Sequence, residues 1–190
     1  NNVATYAYTL GTLSAGNNYI LNLAGTNTFA ITKASLQVKA GLKVIFKGDP
    51  LPTPASTVTV TGLKNGDNPT LAYTTSPTYS PAASPAGVYI IIPSLQSFAN
   101  AGNYTITYIN GTLYVNPKGP GAKKLIPKLD CVVEITNPSP GQYRYIARFT
   151  CNNNNSTPVY VPVGPDNNLS SNGGSFNGSA QPVLFNPGIT

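Results

Sequence analysis

One motif is written twice in this chain, and that duplication limits the fold more than any other feature. Ala15-Gly16-Asn17-Asn18-Tyr19 opens an alternating run that passes Gly25 and ends in Phe29-Ala30-Ile31-Thr32-Lys33. Much later Ala101-Gly102-Asn103-Tyr104 opens another, passes Gly111 and ends in Leu113-Tyr114-Val115-Asn116-Pro117-Lys118. Recurrence of this kind marks a supersecondary unit used more than once. Each copy has the same physical content: a small-residue turn leads into a strand, a Gly turn reverses it, and a second strand leads out to the next unit. One complete repeat therefore spans about residues 31–117, and the residues before it are the tail of a preceding repeat.

The runs between the turns alternate apolar and polar residues with a period of two, the signature of a half-buried strand. Tyr19-Ile20-Leu21-Asn22-Leu23, Leu36-Gln37-Val38-Lys39, Thr57-Val58-Thr59-Val60-Thr61, Tyr104-Thr105-Ile106-Thr107-Tyr108 and Val159-Tyr160-Val161-Pro162-Val163 all show it. Residues 88–92 are continuously apolar and read as a strand buried on both sides. Turn signals punctuate the runs at Lys64-Asn65-Gly66-Asp67 and Asn110-Gly111, among others. Residues 76–85, rich in proline, read as an extended crossing loop, because proline cannot donate to a ladder. No segment of helical length carries a 3.6-residue period. The expected class is all-β, with short-stranded antiparallel or mixed sandwich-like domains in tandem. The expected divisions are an N-terminal strand extension (1–30), the repeat (31–118), a linker (119–127) and a C-terminal β module (128–190).

Only 8% of the 190 residues are charged, against roughly 25% in an average soluble domain. The polar surface must therefore come from Asn, Ser, Thr and backbone. The net charge of +6 rests on few groups. Lys118, Lys123, Lys124 and Lys128 sit among Pro and Gly, which favours a solvated linker over the basic, aromatic-interleaved face that nucleic acid requires. There is no run long enough for a membrane span. With neither an initiator Met nor a signal peptide, the chain reads as a processed product or an excised fragment.

Catalysis is hard to assemble from these residues. The sequence has no His, so the usual base near neutral pH is missing. The carboxylates are Asp49, Asp67, Asp130, Glu134 and Asp166. Of these only Asp130 and Glu134 lie close together, and a solvated strand pair is the favoured reading over a glycosidase pair. Asp49 and Asp67 fall in turns, where Asp bonds backbone. No catalytic residue, metal or cofactor is assigned, and a hydrolase ranks far behind the other readings.

Cys131 and Cys151 flank the turn-rich Asn137-Pro138-Ser139-Pro140-Gly141. If that stretch reverses the chain, residues 129–136 and 143–151 pair as antiparallel strands. The two sulfurs then lie nearly opposite each other, and a disulfide is expected in an oxidising compartment; two buried free thiols are the alternative. Tyr73 and Tyr79, assigned to loop regions, are the candidate sugar or partner contacts. N-x-S/T triplets begin at Asn103, Asn110, Asn154, Asn155, Asn168 and Asn177.

Several ordered motifs then carry a family likeness. Ile31-Thr32-Lys33-Ala34, Leu36-Gln37-Val38-Lys39-Ala40, Phe46-Lys47-Gly48-Asp49-Pro50, Val60-Thr61-Gly62-Leu63-Lys64-Asn65-Gly66-Asp67, Ala86-Gly87-Val88-Tyr89 and Gly111-Thr112-Leu113-Tyr114-Val115 resemble the MBG repeat of bacterial surface adhesins, a β-rich module usually found in tandem. The C-terminal part, from about Lys123, resembles a small β module that follows repeats in secreted bacterial proteins. The resemblance implies an extracellular, bacterial cell-surface location and a structural role, with mucin or carbohydrate binding as the alternative.

The incomplete first repeat adds a partner expectation. Residues 3–10 and 19–30 read as strands whose own sheet is unfinished, and unpaired edges recruit further strands. Tyr6, Tyr8, Leu10, Tyr19, Leu21 and Leu23 are the candidate intersubunit positions. Either neighbouring repeats complete them, or a second subunit does so head to tail, giving a filament.

Overall fold

The computed structural model describes residues 2–25, 27–169 and 181–189. In chain order the strands are β1 (Ala4–Ala7), β2 (Thr28–Ile31), β3 (Ala34–Ala40), β4 (Leu42–Phe46), β5 (Val58–Thr61), β6 (Thr70–Ser76), β7 (Gly87–Gln96), β8 (Tyr104–Ile109), β9 (Gly111–Asn116), β10 (Leu125–Glu134), β11 (Tyr145–Asn153), β12 (Val159–Tyr160), β13 (Leu184–Phe185) and β14 (Gly188–Ile189). One helical turn, α1 (Pro54–Thr57), and a 3-10 turn at Ala101–Asn103 are the helical exceptions among the described residues. The molecule is all-β.

The repeat is a two-layer sandwich. One sheet has the order β5-β3-β8 and the other β4-β9-β7-β6. Alternation sorts their side chains. Leu36, Val38, Ala40, Val58 and Tyr104 turn inward from the first sheet, and Tyr89, Ile91, Leu113 and Val115 from the second. Leu36, Val38, Leu113 and Val115 are wholly inaccessible, and each such side chain contributes about 1.5–3 kcal/mol on burial. The outer face of the first sheet is polar and exposed: Ser35, Gln37, Lys39, Thr59, Thr61, Thr105 and Thr107.

The two sheets share two strands' worth of chain, and this is what makes the repeat one unit. β3 pairs β8 in parallel, with Val38 opposite Tyr108, and β4 pairs β9 in parallel, with Leu42 opposite Thr112. The stretches Ala34–Phe46 and Tyr104–Asn116 thus run side by side and cross together from one layer to the other, bending at Gly41 and at Asn110-Gly111. Gly111 does not reverse the chain, as its sequence context suggests. A Cβ there would lie 2.2 Å from the Gly41 carbonyl oxygen and 2.8 Å from the Ala40 carbonyl carbon. Glycine is required at this crossing for space, since its φ is not positive.

Two further expectations are corrected here. Residues 88–92 are not buried on both sides. Tyr89 and Ile91 face the core, while Val88, Ile90 and Ile92 are 45%, 49% and 40% exposed. An antiparallel ladder on both flanks leaves one face of the strand to solvent. The proline-rich segment is not a crossing loop either. It joins β6 to β7, which are neighbours in the sheet, and it folds back so that Tyr79 enters the core.

The C-terminal part begins with β10, which takes in Leu125 and the two residues after it from the stretch expected as linker. It pairs antiparallel with β11 in a long hairpin, and β11 pairs β14 at Asn152 and Asn153. β12 pairs β13. This part meets the outer face of the repeat's second sheet through Tyr160, whose ring stacks on Tyr114 at 4.8 Å. The Asn116 side chain acts there as a strand of one residue. Its Nδ2 donates to the Tyr160 carbonyl at 2.8 Å, and its Oδ1 accepts from the Tyr160 N–H at 2.9 Å. Lys118 closes the same corner, with Nζ 2.9 Å from Asp49 Oδ1.

Candidate functional site

The N-terminal extension is where this chain departs most from a finished fold. None of the described residues between 2 and 30 is buried. β1 and β2 form a short antiparallel pair with Ala4 opposite Ile31 and Ala7 opposite Thr28. Tyr6 and Tyr8 both pack on Phe29, at 5.5 and 5.4 Å between ring centroids. The pairing is antiparallel, as is that of β7 with β9. The strands are shorter than the alternation suggested. Leu10 lies outside β1, and Tyr19, Leu21 and Leu23 belong to no strand among the described residues. Their counterpart in the duplicated motif is β8, which is ordered by its parallel partner β3. Here no corresponding partner is found among the described strands, and the alternating run pairs with none of them. Tyr19 is 74% and Ile20 91% exposed.

The extension touches the repeat through a polar notch. Val3 N–H donates to Asn103 Oδ1 at 2.9 Å, and Asn103 Nδ2 donates to Asn2 Oδ1 at 3.1 Å. Behind this contact Asp67 clamps the Lys64-Asn65-Gly66 turn to the 3-10 turn. The Tyr104 hydroxyl donates to its Oδ2 at 2.6 Å, and Asn100 Nδ2 donates to its Oδ1 at 2.6 Å. The Tyr104 bond, then the Asn100 bond, hold the Asp67 carboxyl below the usual carboxylate range. The same bond, helped by burial, holds the Tyr104 phenol above its ordinary value. Both oxygens of Asp67 are thereby engaged with protein donors, and the clamp is structural. Asp130 and Glu134 do not form an acid pair: each faces an arginine, Arg148 at 3.7 Å and Arg144 at 2.7 Å respectively.

The two candidate ligand tyrosines are placed elsewhere than expected. Tyr79 is 5% exposed; its hydroxyl donates to the Asp49 carbonyl at 3.0 Å and its ring meets Tyr89 edge-on. Tyr73 lies in β6, half-buried against the core, with its hydroxyl donating to the Pro52 carbonyl. In a loop-rich context the sequence offered no sign that proline turns would carry Tyr79 inward.

Cys131 and Cys151 are free thiols, so the expected disulfide is corrected. The hairpin forms as expected, but its centre is displaced. Cys131 lies opposite Arg148 and Cys151 opposite Pro127. The two are separated by about 10 Å along the ribbon, beyond the 4.4–6.8 Å a disulfide spans between Cα atoms. They also sit on opposite faces, since Arg148 and Cys151 are an odd number of residues apart on one strand. Cys131 is exposed and Cys151 buried, and burial pushes the Cys151 thiol up. Of the N-x-S/T positions, Asn155 is buried and bonded on both sides to the Lys123 backbone, whereas Asn177 lies outside the described residues.

Residues 36–114 match the family model of the MBG domain (YGX type). The middle of the chain carries an MBG-type repeat. The matched stretch starts within β3 and ends within β9, which makes it the sandwich just described without either flank. Among solved structures, a cell surface adhesin from Lactobacillus reuteri is similar at 21% identity, covering 44% of this chain and 97% of that one, with a TM-score of 0.30. No match was found among curated proteins.

Proposed function

We propose that this chain is a non-enzymatic, extracellular structural module of a bacterial surface appendage, an adhesin stalk segment or filament subunit, joined to its neighbours by β-strand pairing. The observation that carries this reading is the open N-terminal extension. It repeats the last strands of an MBG-type unit, yet none of its described residues is buried and its alternating run at 19–23 has no partner strand among the described residues. Backbone groups and apolar side chains arranged for a sheet favour completion by added strands. The complete repeat beside it shows what completion looks like: the equivalent strand β8 lies in parallel against β3.

Electron microscopy and light scattering of the purified chain, with and without residues 2–30, test this. End-to-end assemblies that disappear on truncation, with the melting transition of the repeat retained, are expected. Unchanged assembly, or a monomer in both preparations, would remove the reading. The carbohydrate-binding alternative would have to use other side chains than Tyr79, which is buried, and Tyr73, whose hydroxyl is engaged. A glycan array is its test.

A further inference from the structure

The C-terminal hairpin has no business standing alone. Every residue of β10 after Leu125 is exposed, as is β11 up to Phe149. Leu129, Val132, Tyr145 and Phe149 share one face of the ribbon, and Val133 and Ile146 lie on the other. Each is about half exposed. Among the described residues no strand pairs with the outer edge of β10, and β14 covers β11 only at its base. A two-stranded ribbon with both faces in water is marginal at best, and apolar strands with open edges are held in check in stable monomers.

We infer that this hairpin is an intersubunit arm that receives the N-terminal extension of a second copy of the same chain. The inference rests on the strand-pairing reading above and names the element that does the receiving. Three observations select this occupant. First, the chain itself contains an alternating segment, residues 19–23, that pairs with no strand among the described residues and has the strand periodicity an open edge accepts. Second, the charges fit. Residues 1–31 contain no charged side chain at all, so they set no like charge against the hairpin, where Glu134 faces Arg144 and Asp130 faces Arg148 and the remaining charge is the exposed Lys128. Third, apolar surface is there to be covered: Leu129, Val132, Tyr145 and Phe149 are each about half exposed on one face of the ribbon, and Val133 and Ile146 on the other. Donor and receiver lie on different patches of one chain, so the contact is heterologous and propagates head to tail.

Cys131, an exposed thiol on the hairpin, provides the test within the full chain. Tyr19→Cys, Leu21→Cys and Leu23→Cys are made singly, with Ser35→Cys on the polar sheet face as control. Mass is followed by light scattering before and after mild oxidation. The expected result is concentration-dependent assembly and, on oxidation, a covalent ladder from at least one extension variant, with peptide mapping joining the new cysteine to Cys131. The control gives no ladder. Assembly without any such cross-link, or Cys131–Cys131 dimers alone, overturns the arm while leaving strand-paired assembly standing. A single-chain mass at every concentration overturns both. Val132→Lys and Phe149→Lys supply a second readout. Both side chains are about half exposed, so the melting transition of the repeat should persist while the concentration for half-assembly rises at least tenfold; an unchanged value overturns the arm.

Discussion

Replacing Gly111 with Ala should cost this protein more than almost any other single methyl group. The added Cβ would stand 2.2 Å from the Gly41 oxygen and 2.8 Å from the carbonyl carbon and oxygen of Ala40. The obstacle is backbone, and it is held by parallel ladders on both sides of the crossing: β3 with β8 and β4 with β9. No rotamer change relieves it. The layers must separate by about 1 Å at the one place where both sheets are joined, which places the cost at the upper end for overpacking, about 3 kcal/mol or more. For a domain of this size that is a fall of roughly 15 °C in melting temperature. Gly102→Ala is the matched control. Its Cβ would meet nothing within 4 Å, and its cost should stay within about 0.5 kcal/mol. Thermal melts followed by circular dichroism decide the matter. A Gly111→Ala protein melting within about 2 °C of the parent would refute the crossing as described.

Three other outcomes follow from the same geometry. The Asp67 carboxyl is held low by Tyr104, so the stability it contributes is fully present above the unfolded carboxylate pKa of about 4 and is lost as pH falls through its lower folded value. Tyr104→Phe should therefore be less stable than the parent in urea at pH 7, and the gap should narrow toward pH 3. Asn116→Leu leaves the Tyr160 N–H and carbonyl without their partners, at a cost of about 1–3 kcal/mol; hydrogen exchange at the Tyr160 amide should rise while that at Leu113 does not. Reductant should leave the melting temperature unchanged, and a thiol reagent should label Cys131 in the folded chain but reach Cys151 only on unfolding.

The repeat is legible in its sequence because its strands obey the simplest rule available. Leu36 and Val38 alternate with Gln37 and Lys39, and the structure puts the first pair in the core and the second in water. The hairpin of β10 and β11 is legible too, from the Asn137–Gly141 turn chemistry between two β-rich runs. Its register is not: a displacement of the turn centre by one or two residues is invisible in composition, yet it moves Cys131 from Cys151 to Arg148 and removes the disulfide. Residues 88–92 mislead because an unbroken apolar run hides which face is wet. Tyr79 misleads because burial of a loop side chain depends on what the loop folds back upon, here Tyr89 and the Asp49 carbonyl. Tyr19, Leu21 and Leu23 show the converse failure: the pattern of a strand is present, but the strand needs a neighbour that its own segment does not provide.

Hydrogen exchange resolved to residues 19–23, compared between dilute and concentrated protein, addresses that missing neighbour most directly. Amides in this run should exchange freely in the dilute chain and become protected on assembly, together with those along the outer edge of β10. Protection already present at high dilution, or assembled particles in which the run still exchanges freely, would contradict the role assigned to it.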